Sequence, residues 1–346
     1  MTDLADYTTL GLGGPAKTFV AVSAEAGLID AVRAADAAGE PVLLLGGGSN
    51  LVVADDGFPG TVIFVATRGV GYAAAAGGQV DVTVAAGEDW DDVVAAVVAG
   101  ELAGLECLSG IPGRAGATPI QNVGAYGHEV AEVITAVRVY DRLTAQTRVI
   151  PNEGCGFSYR SSLFKAAEPG RYVVLAVTFR LARDSRSMPV EYTELASELG
   201  VQMGERAGVS DVRSGVLKIR ARKGMVLNSG DPDSRSAGSF FTNPVLSLEQ
   251  YAQVAAAAAG PVPRFDAGDG RVKVPAAWLI EHAGFGKGYG APGRARISSK
   301  HTLALINAGG ATTAGLLALA REIRDGVRAA FGVTLEPEPT LVGVTL

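Results

Sequence analysis

Pro41-Val42-Leu43-Leu44-Leu45-Gly46-Gly47-Gly48-Ser49-Asn50-Leu51 is an apolar run that stops abruptly in three glycines. A short, continuously apolar segment bounded by turn formers reads as a buried strand. The glycines after it let the backbone turn successive N–H groups toward one point. Such groups form an anion nest, and a diphosphate is its natural occupant. Ser49 and Asn50 add donors. A plain tight turn is the alternative reading. The spacing is not the Gly-x-Gly-x-x-Gly of dinucleotide folds, and no Gly-Lys-Ser/Thr follows to make a P-loop. Gly47-Gly48-Ser49-Asn50-Leu51 also fails the nucleophile-elbow pattern at its last position.

Outward from this loop, residues 19–22 predict a strand. Residues 25–38 predict a helix with Leu28, Ile29, Val32 and Ala35 on one face, and 62–65 a further strand. Together they make a βαββ unit. Past Gly69, residues 80–85 alternate like a half-buried strand. Residues 88–103 read as a helix, 137–140 with 147–150 as a hairpin, and 172–181 as a strand. A third region begins near Val212. Residues 248–259 read as a helix and begin with the capping-box spacing Ser247/Gln250, 276–283 follow, and Gly260 and Gly284 read as stops. The clearest helix is 311–331, where Leu316, Leu319, Ile323, Val327 and Phe331 recur at helical steps and Gly332 ends it. Residues 335–344 read as extended. Strand and helix alternate only near the start, which argues for α+β, or mixed α/β, rather than one doubly wound parallel sheet.

Composition narrows the function. The chain of 346 residues carries 46 glycines, well above the usual share of about 7%. No Gly-X-Y period exists, and apolar residues are too many for disorder. The glycines therefore belong in tight turns or where backbone approaches a ligand. Net charge is −6, with no basic run, so a nucleic-acid partner is not expected. The first residues lack a signal-peptide core, and the longest apolar stretch, around 93–108, is broken by Glu101 and Glu106. Two cysteines, Cys107 and Cys155, make no disulfide framework, and the chain reads as cytoplasmic. His128, His282 and His301 lack ligand spacing, so no metal is expected.

The segment 108–127 has little periodicity and few charges, and a loop of that length is usually functional. Its glycines, prolines and small residues can wrap a flat ligand, with Gln121, Asn122 and main-chain amides reading heteroatoms; a structural crossover is the alternative. Three weaker motifs stand elsewhere. They are Tyr159-Arg160-Ser161-Ser162 after Gly156-Phe157, Gly238-Ser239-Phe240-Phe241-Thr242-Asn243-Pro244, and Leu335-Glu336-Pro337-Glu338-Pro339.

Taken in order, these segments resemble the UDP-N-acetylenolpyruvoylglucosamine reductase family, flavoenzymes of peptidoglycan synthesis. The matches are 45–51, 111–127, Gly156 to Arg160, Ala237 to Pro244 and Leu335 to Glu338. Extended regions at 108–127 and 181–215 resemble the longer, type I form. The resemblance implies an FAD-binding fold of the p-cresol methylhydroxylase and vanillyl-alcohol oxidase type, with a third, substrate-binding domain. The expected division is 1–68 completed by 333–346, then 69–214, then 215–332. It implies FAD held noncovalently, since no histidine stands before Tyr126 for a covalent link. It further implies NADPH as reductant, a UDP-sugar substrate, and a chain that works as a monomer without inserting in a membrane. Another FAD-dependent oxidase of the same fold, acting on a sugar or alcohol, is the alternative.

Residue by residue, the resemblance assigns FAD contacts to Gly46, Gly47, Gly48, Ser49 and Asn50, and to Gly110, Ile111, Pro112, Gly113, Gly116, Ala117, Gln121, Asn122, Gly124, Ala125, Tyr126 and Gly127. Arg160 and Glu338 flank the reacting enolpyruvyl group, with Glu336 as substitute if Glu338 points away, and Ser239 donates the proton. Tyr159, Tyr192, Lys223, Asn243 and His301 match substrate- or nicotinamide-contacting positions, and 224–236 reads as an insertion. One departure stands out: the family's small apolar residue and arginine after the catalytic glutamate are here Pro339 and Thr340.

Overall fold

The computed structural model describes residues 2–346. The chain forms two compact units: a sheet unit of Ala16–Gly47 and Pro59–Arg222, and a terminal unit of the chain up to Pro15, Gly48–Phe58 and Lys223–Leu346.

In the sheet unit, Val42–Leu45 lies parallel to Phe58–Val65, with Leu45 opposite Phe64, and Ala16–Val22 flanks the other side. Helix α1 (Glu25–Ala37) links the outer strands and buries Leu28, Val32 and Ala35. The larger sheet is antiparallel, in the order Gln146–Pro151, Ile134–Asp141, Tyr172–Arg183, Gln79–Ala85, Val70–Ala74. Helix α2 (Trp90–Ala99) covers it with Trp90, Val93, Val94, Val97 and Val98. The apolar face joins one core running from Val22 to Val209. The expected helix 88–103 is thus shorter. Gly100 caps it, Glu101 takes a left-handed φ of 52°, and Leu102–Ala103 swings round to pair with Tyr172–Arg183.

Two helices appear where none was expected, α3 (Thr193–Leu199) and α4 (Val209–Arg222). They enclose a small core of Val190, Leu195, Val212, Val216 and Ile219 with Cys107. A Cβ at Gly215 would lie 3.1 Å from Leu199 Cδ2, so this glycine lets the helices close. Position 214 falls inside α4.

The terminal unit packs α5 (Leu248–Ala257), α6 (Ala276–His282) and α7 (Thr313–Phe331) round a second core. The capping box on α5 is realised: Gln250 N–H donates to Ser247 Oγ at 3.1 Å, and Ser247 N–H to Gln250 Oε1 at 2.9 Å. Gly260 is not its stop, because the helix ends at Ala257 and Ala258 is already extended. α7 buries the expected stripe, and Gly332 ends it with φ 70°. The long extended C-terminus contracts to Thr340–Val342, parallel to Leu51–Val53. Among the described residues no helix is long and apolar enough to cross a membrane.

Phe179 is fully buried in the sheet unit, 5.6 Å from the Trp90 ring. Phe179→Ala is expected to cost about 3–5 kcal/mol through lost burial and a residual cavity. Denaturant unfolding checks this, and a loss below about 1 kcal/mol would contradict the packing described.

Candidate functional site

The strand Val42–Leu45 delivers Gly46 and Gly47 into the sheet unit. A Cβ on Gly47 would lie 2.7 Å from Gly113 Cα, so the turn meets the 109–127 run backbone to backbone. Beside Gly46 lies Arg114, whose side chain sits 3.6 Å from Asp89 and 5.9 Å above the Phe64 ring. Arg114 Nε is buried and makes no hydrogen bond. A buried donor without an acceptor costs about 1–3 kcal/mol. A cation with a donor in reserve beside a glycine turn fits a phosphate-bearing group, and the FAD diphosphate is such a group.

In the terminal unit, Gly48 has φ 59°, and a Cβ there would fall 1.9 Å from the Tyr7 carbonyl oxygen. Half-buried Ser49 and Asn50 follow. Asn50 donates through Nδ2 to the Glu338 carbonyl at 3.4 Å and accepts from Thr340 N–H at 2.9 Å. Gly116 is pressed on Ala86, whose Cβ lies 2.5 Å from where its own would be. The missing side chains of Gly47, Gly48 and Gly116 therefore make room for the protein's own chain. Of the two expected uses of glycine, tight turns and approach to a ligand, these three positions serve close crossing of the chain by itself.

Charged side chains hold the 109–127 run in shape. Gly110, φ 71°, donates its N–H to Asp91 Oδ1 at 2.6 Å and accepts from Arg220 Nε at 3.1 Å. Gly113 accepts from Trp90 N–H at 3.1 Å. Ile111, Pro112, Gly113, Gln121, Gly124, Ala125 and Tyr126 are half-buried; Ala117 and Gly127 are exposed. Asn122, φ 46°, is buried. Its Nδ2 donates to Glu129 Oε2 at 2.6 Å and to the Ser158 carbonyl at 3.1 Å, while Oδ1 accepts from Ala131 N–H at 3.1 Å. Both amide N–H groups are taken inside the protein. Asn122 thus braces the run, where its side chain was expected to read ligand heteroatoms.

The run ends in the hairpin Gly124–Ala125 with His128–Glu129. Tyr126, at its tip with φ 53°, stands edge-on to Tyr192 with centroids 5.3 Å apart. Tyr192 is itself exposed, at the start of α3. Arg160, φ 54°, donates through Nη2 to the Gly124 carbonyl at 2.7 Å and through Nη1 to the Asn122 carbonyl at 3.4 Å, and lies 5.3 Å over the Tyr159 ring. Arg160, Tyr159, Tyr126 and Tyr192 thus belong to the sheet unit.

Ser239 and Glu338 belong to the terminal unit. Phe240 N–H donates to the Leu303 carbonyl at 2.7 Å, Glu338 N–H to the Phe240 carbonyl at 2.9 Å, and Thr242 N–H to the Glu336 carbonyl at 3.0 Å. Phe241 bridges antiparallel to Pro337. Phe240 and Phe241 are buried edge to face, which anchors this pairing and leaves Ser239 half-buried at its rim. Gly238, φ 73°, supplies the turn, with open space where a Cβ would stand. Glu338 is half-buried and Glu336 exposed. Asn243 Oδ1 accepts from Ala276 N–H at 2.9 Å, starting α6. His301 is half-buried, its N–H donating to Ser298 Oγ at 3.3 Å, and Lys223 opens the unit's last segment. The 224–236 stretch docks through buried Asp233 on Ser299 N–H at 3.2 Å and through an Asp231–Lys300 ion pair at 2.5 Å.

Asp91, Arg114 and Arg220 were missed from sequence. Only Arg114, a lone charge inside the glycine-rich run, carried a readable signal. Among the described residues no group of three or more His, Cys, Asp or Glu is arranged to hold a metal ion.

Comparison with known proteins matches both parts of the chain to family models. A family model described as UDP-N-acetylenolpyruvoylglucosamine reductase, C-terminal domain, matches residues 231–342, and one described as FAD binding domain matches 16–147. The UDP-N-acetylenolpyruvoylglucosamine reductase of Thermobifida fusca is 56% identical, over 99% of this chain and 97% of that protein. The one from Saccharopolyspora erythraea is 55% identical, over 99% and 95%. The crystal structure of UDP-N-acetylenolpyruvylglucosamine reductase from Thermus caldophilus superposes with a TM-score of 0.65 at 26% identity, covering 99% of this chain and 97% of that one.

His128 yields a pH prediction. Burial lowers its pKa, but Glu132 Oε2 at 2.8 Å from Nδ1 and the Pro189 carbonyl at 2.8 Å from Nε2 outweigh that, with the Glu132 and Glu191 charges helping, and raise it to about 9. A raised histidine pKa gives stabilisation that is complete below about 6.5 and lost as pH climbs through about 9. NMR titration of the imidazole, assigned with His128→Gln, is expected to show a midpoint near 9. A midpoint at or below the ordinary value of about 6.5 would refute the imidazolium clamp.

Proposed function

The chain belongs to the UDP-N-acetylenolpyruvoylglucosamine reductase family, and from that premise we propose how its residues divide the reaction. It is an FAD-dependent oxidoreductase that reduces UDP-N-acetylenolpyruvoylglucosamine in peptidoglycan synthesis. The observation that carries the assignment of roles is the pairing of 240–242 with 336–338, which brings Ser239 and Glu338 onto adjoining backbone.

FAD, held noncovalently by 46–50 and 109–127, supplies when bound the hydride that NADPH provides. Flavin binding falls to 1–68 with 333–346 and to the segment from 69 to the end of α4, and substrate binding to the rest up to 332. Hydride arriving at the terminal carbon of the enol ether leaves negative charge on the neighbouring carbon, spread into its carboxylate. Arg160 meets that charge with a planar fork suited to a carboxylate. Its guanidinium is held in place beforehand by the Gly124 and Asn122 carbonyls. Preorganised groups of this kind give the largest share of most rate enhancements. Ser239 Oγ passes its proton to the charged carbon, and Glu338 orients the groups around it. Tyr159, Tyr192, Lys223, Asn243 and His301 contact the UDP-sugar or the nicotinamide. Two unpaired, buried cysteines suit a reducing cytoplasm, where the chain acts as a monomer.

Ser239→Ala is expected to keep NADPH-driven flavin bleaching while slowing reoxidation by the enolpyruvyl substrate by at least about 10²-fold. Arg160→Ala is expected to damage that same second half-reaction. Stopped-flow absorbance separates the two, and a variant with both half-reactions at wild-type rates removes its residue from the mechanism. Acid precipitation is expected to leave the yellow colour in the supernatant; colour retained in the pellet would overturn noncovalent binding.

A further inference from the structure

Arg220 has no part in the scheme above, yet it is among the most buried charges of the sheet unit. It lies in the last turn of α4 and is only 7% exposed. Its Nε donates to the Gly110 carbonyl at 3.1 Å, and its charge acts on the half-buried Tyr126 phenol. Gly110 and Tyr126 stand near opposite ends of the glycine-rich run, so one charge acts near both ends. The Gly110 peptide is gripped from its other side too, by Asp91, which Arg213 of the same helix holds through two bonds of 2.6 and 2.9 Å. Gly110 takes a left-handed φ of 71°, and a Cβ there would also lie 2.7 Å from Leu217 Cδ2, so glycine suits this peptide where it sits against α4.

Burying a guanidinium carries a desolvation cost of several kcal/mol that an apolar side chain of similar length would avoid. The cost is offset by bonds that fix backbone the run cannot fix by itself, since it has no ladder or helix of its own over most of its length. Burial holds the Tyr126 phenol protonated, its pKa pushed up to about 12, and a protonated phenol can donate its O–H.

We propose that Arg220 is a positioning residue for the reduction: it fixes the Gly110 peptide against α4, with the Tyr126 phenol in reach of its charge, so that the 110–126 run is shaped for FAD before FAD arrives. This rests on the reading that 109–127 holds FAD. The test compares wild-type holoenzyme with Arg220→Met, Arg220→Lys and Tyr126→Phe. Arg220→Met is expected to fold, by far-UV circular dichroism, but to release FAD on dialysis with about 10- to 100-fold weaker affinity, the range for losing hydrogen bonds to a charged donor. Its flavin absorption bands should shift, and amide hydrogen exchange should rise across 109–127. Arg220→Lys is expected to recover affinity only partly, because an ammonium keeps the charge but lacks the planar fork whose Nε–H meets the Gly110 carbonyl. Tyr126→Phe should reproduce part of the exchange increase near 124–129 even if Arg220→Met fails to fold.

Hydrogen exchange also separates the two ways of failing. If removing FAD from wild type leaves exchange of 109–127 unchanged, the flavin reading of the run fails, and this proposal with it. If FAD protects the run in wild type, but the folded Arg220 variants, or Tyr126→Phe where those do not fold, keep wild-type affinity, spectrum and protection, the flavin reading stands and Arg220 is merely structural.

Discussion

A pairing of three residues against three, 240–242 with 336–338, is the constraint on which the terminal unit's site depends. It joins segments far apart in the chain and needs no long strand. Two buried phenylalanines, Phe240 and Phe241, supply the holding energy, and Leu303 pins Phe240 from the other side. The C-terminal segment then changes partner: Thr340 donates to Asn50 and enters the parallel ladder with Leu51–Val53. Pro339 is buried at that change of partner. Having no N–H, it leaves no donor unsatisfied where neither ladder offers an acceptor. The departure from the family's pattern after Glu338 thus has a backbone role here, whatever charge it removes.

Glycine works in the same economy of close backbone approach. Gly47 against Gly113, Gly48 against Tyr7, and Gly116 against Ala86 are contacts that any Cβ would break. They bring loops without regular structure close enough to brace each other. The glycine excess therefore first records how tightly the chain crosses itself. Ligand approach follows, because backbone packed this closely has its N–H groups fixed in direction.

Some of this was legible in the sequence, and the physics says which part. The strand at 42–45, the capping box at Ser247 and the stripe on α7 are local patterns, and they formed as written. Ser239 and Glu338 were singled out by motif. Helices α3 and α4 were not, because Val212, Val216 and Ile219 make a narrow apolar stripe interrupted by charges and by Gly215. That stripe needs only the small core beneath it, so its periodicity is faint. Asp91, Arg220 and the double duty of Asn122 were invisible for another reason. Their meaning lies in partners elsewhere in the chain, and no spacing encodes which carbonyl a buried arginine will meet.

Those polar residues answer how a glycine-rich run with little secondary structure is held in a fixed shape. Its backbone groups cannot be left unpaired in the interior, and it forms few ladders to pair them. Charged side chains take over instead. Asp91 and Arg220 hold Gly110, and Arg160 holds the Asn122 and Gly124 carbonyls. Glu106 is fully buried and accepts from Gly104 and Met188 N–H at 2.6 Å each, fixing the entry to the run. Hydrogen bonds to charged groups contribute about 1.5–3 kcal/mol each, more than neutral ones. Several of them suffice to offset the backbone entropy of a few residues at about 1–2 kcal/mol each. Ordering of the run is thus met within the fold, so a cofactor that binds there is spared most of that ordering cost.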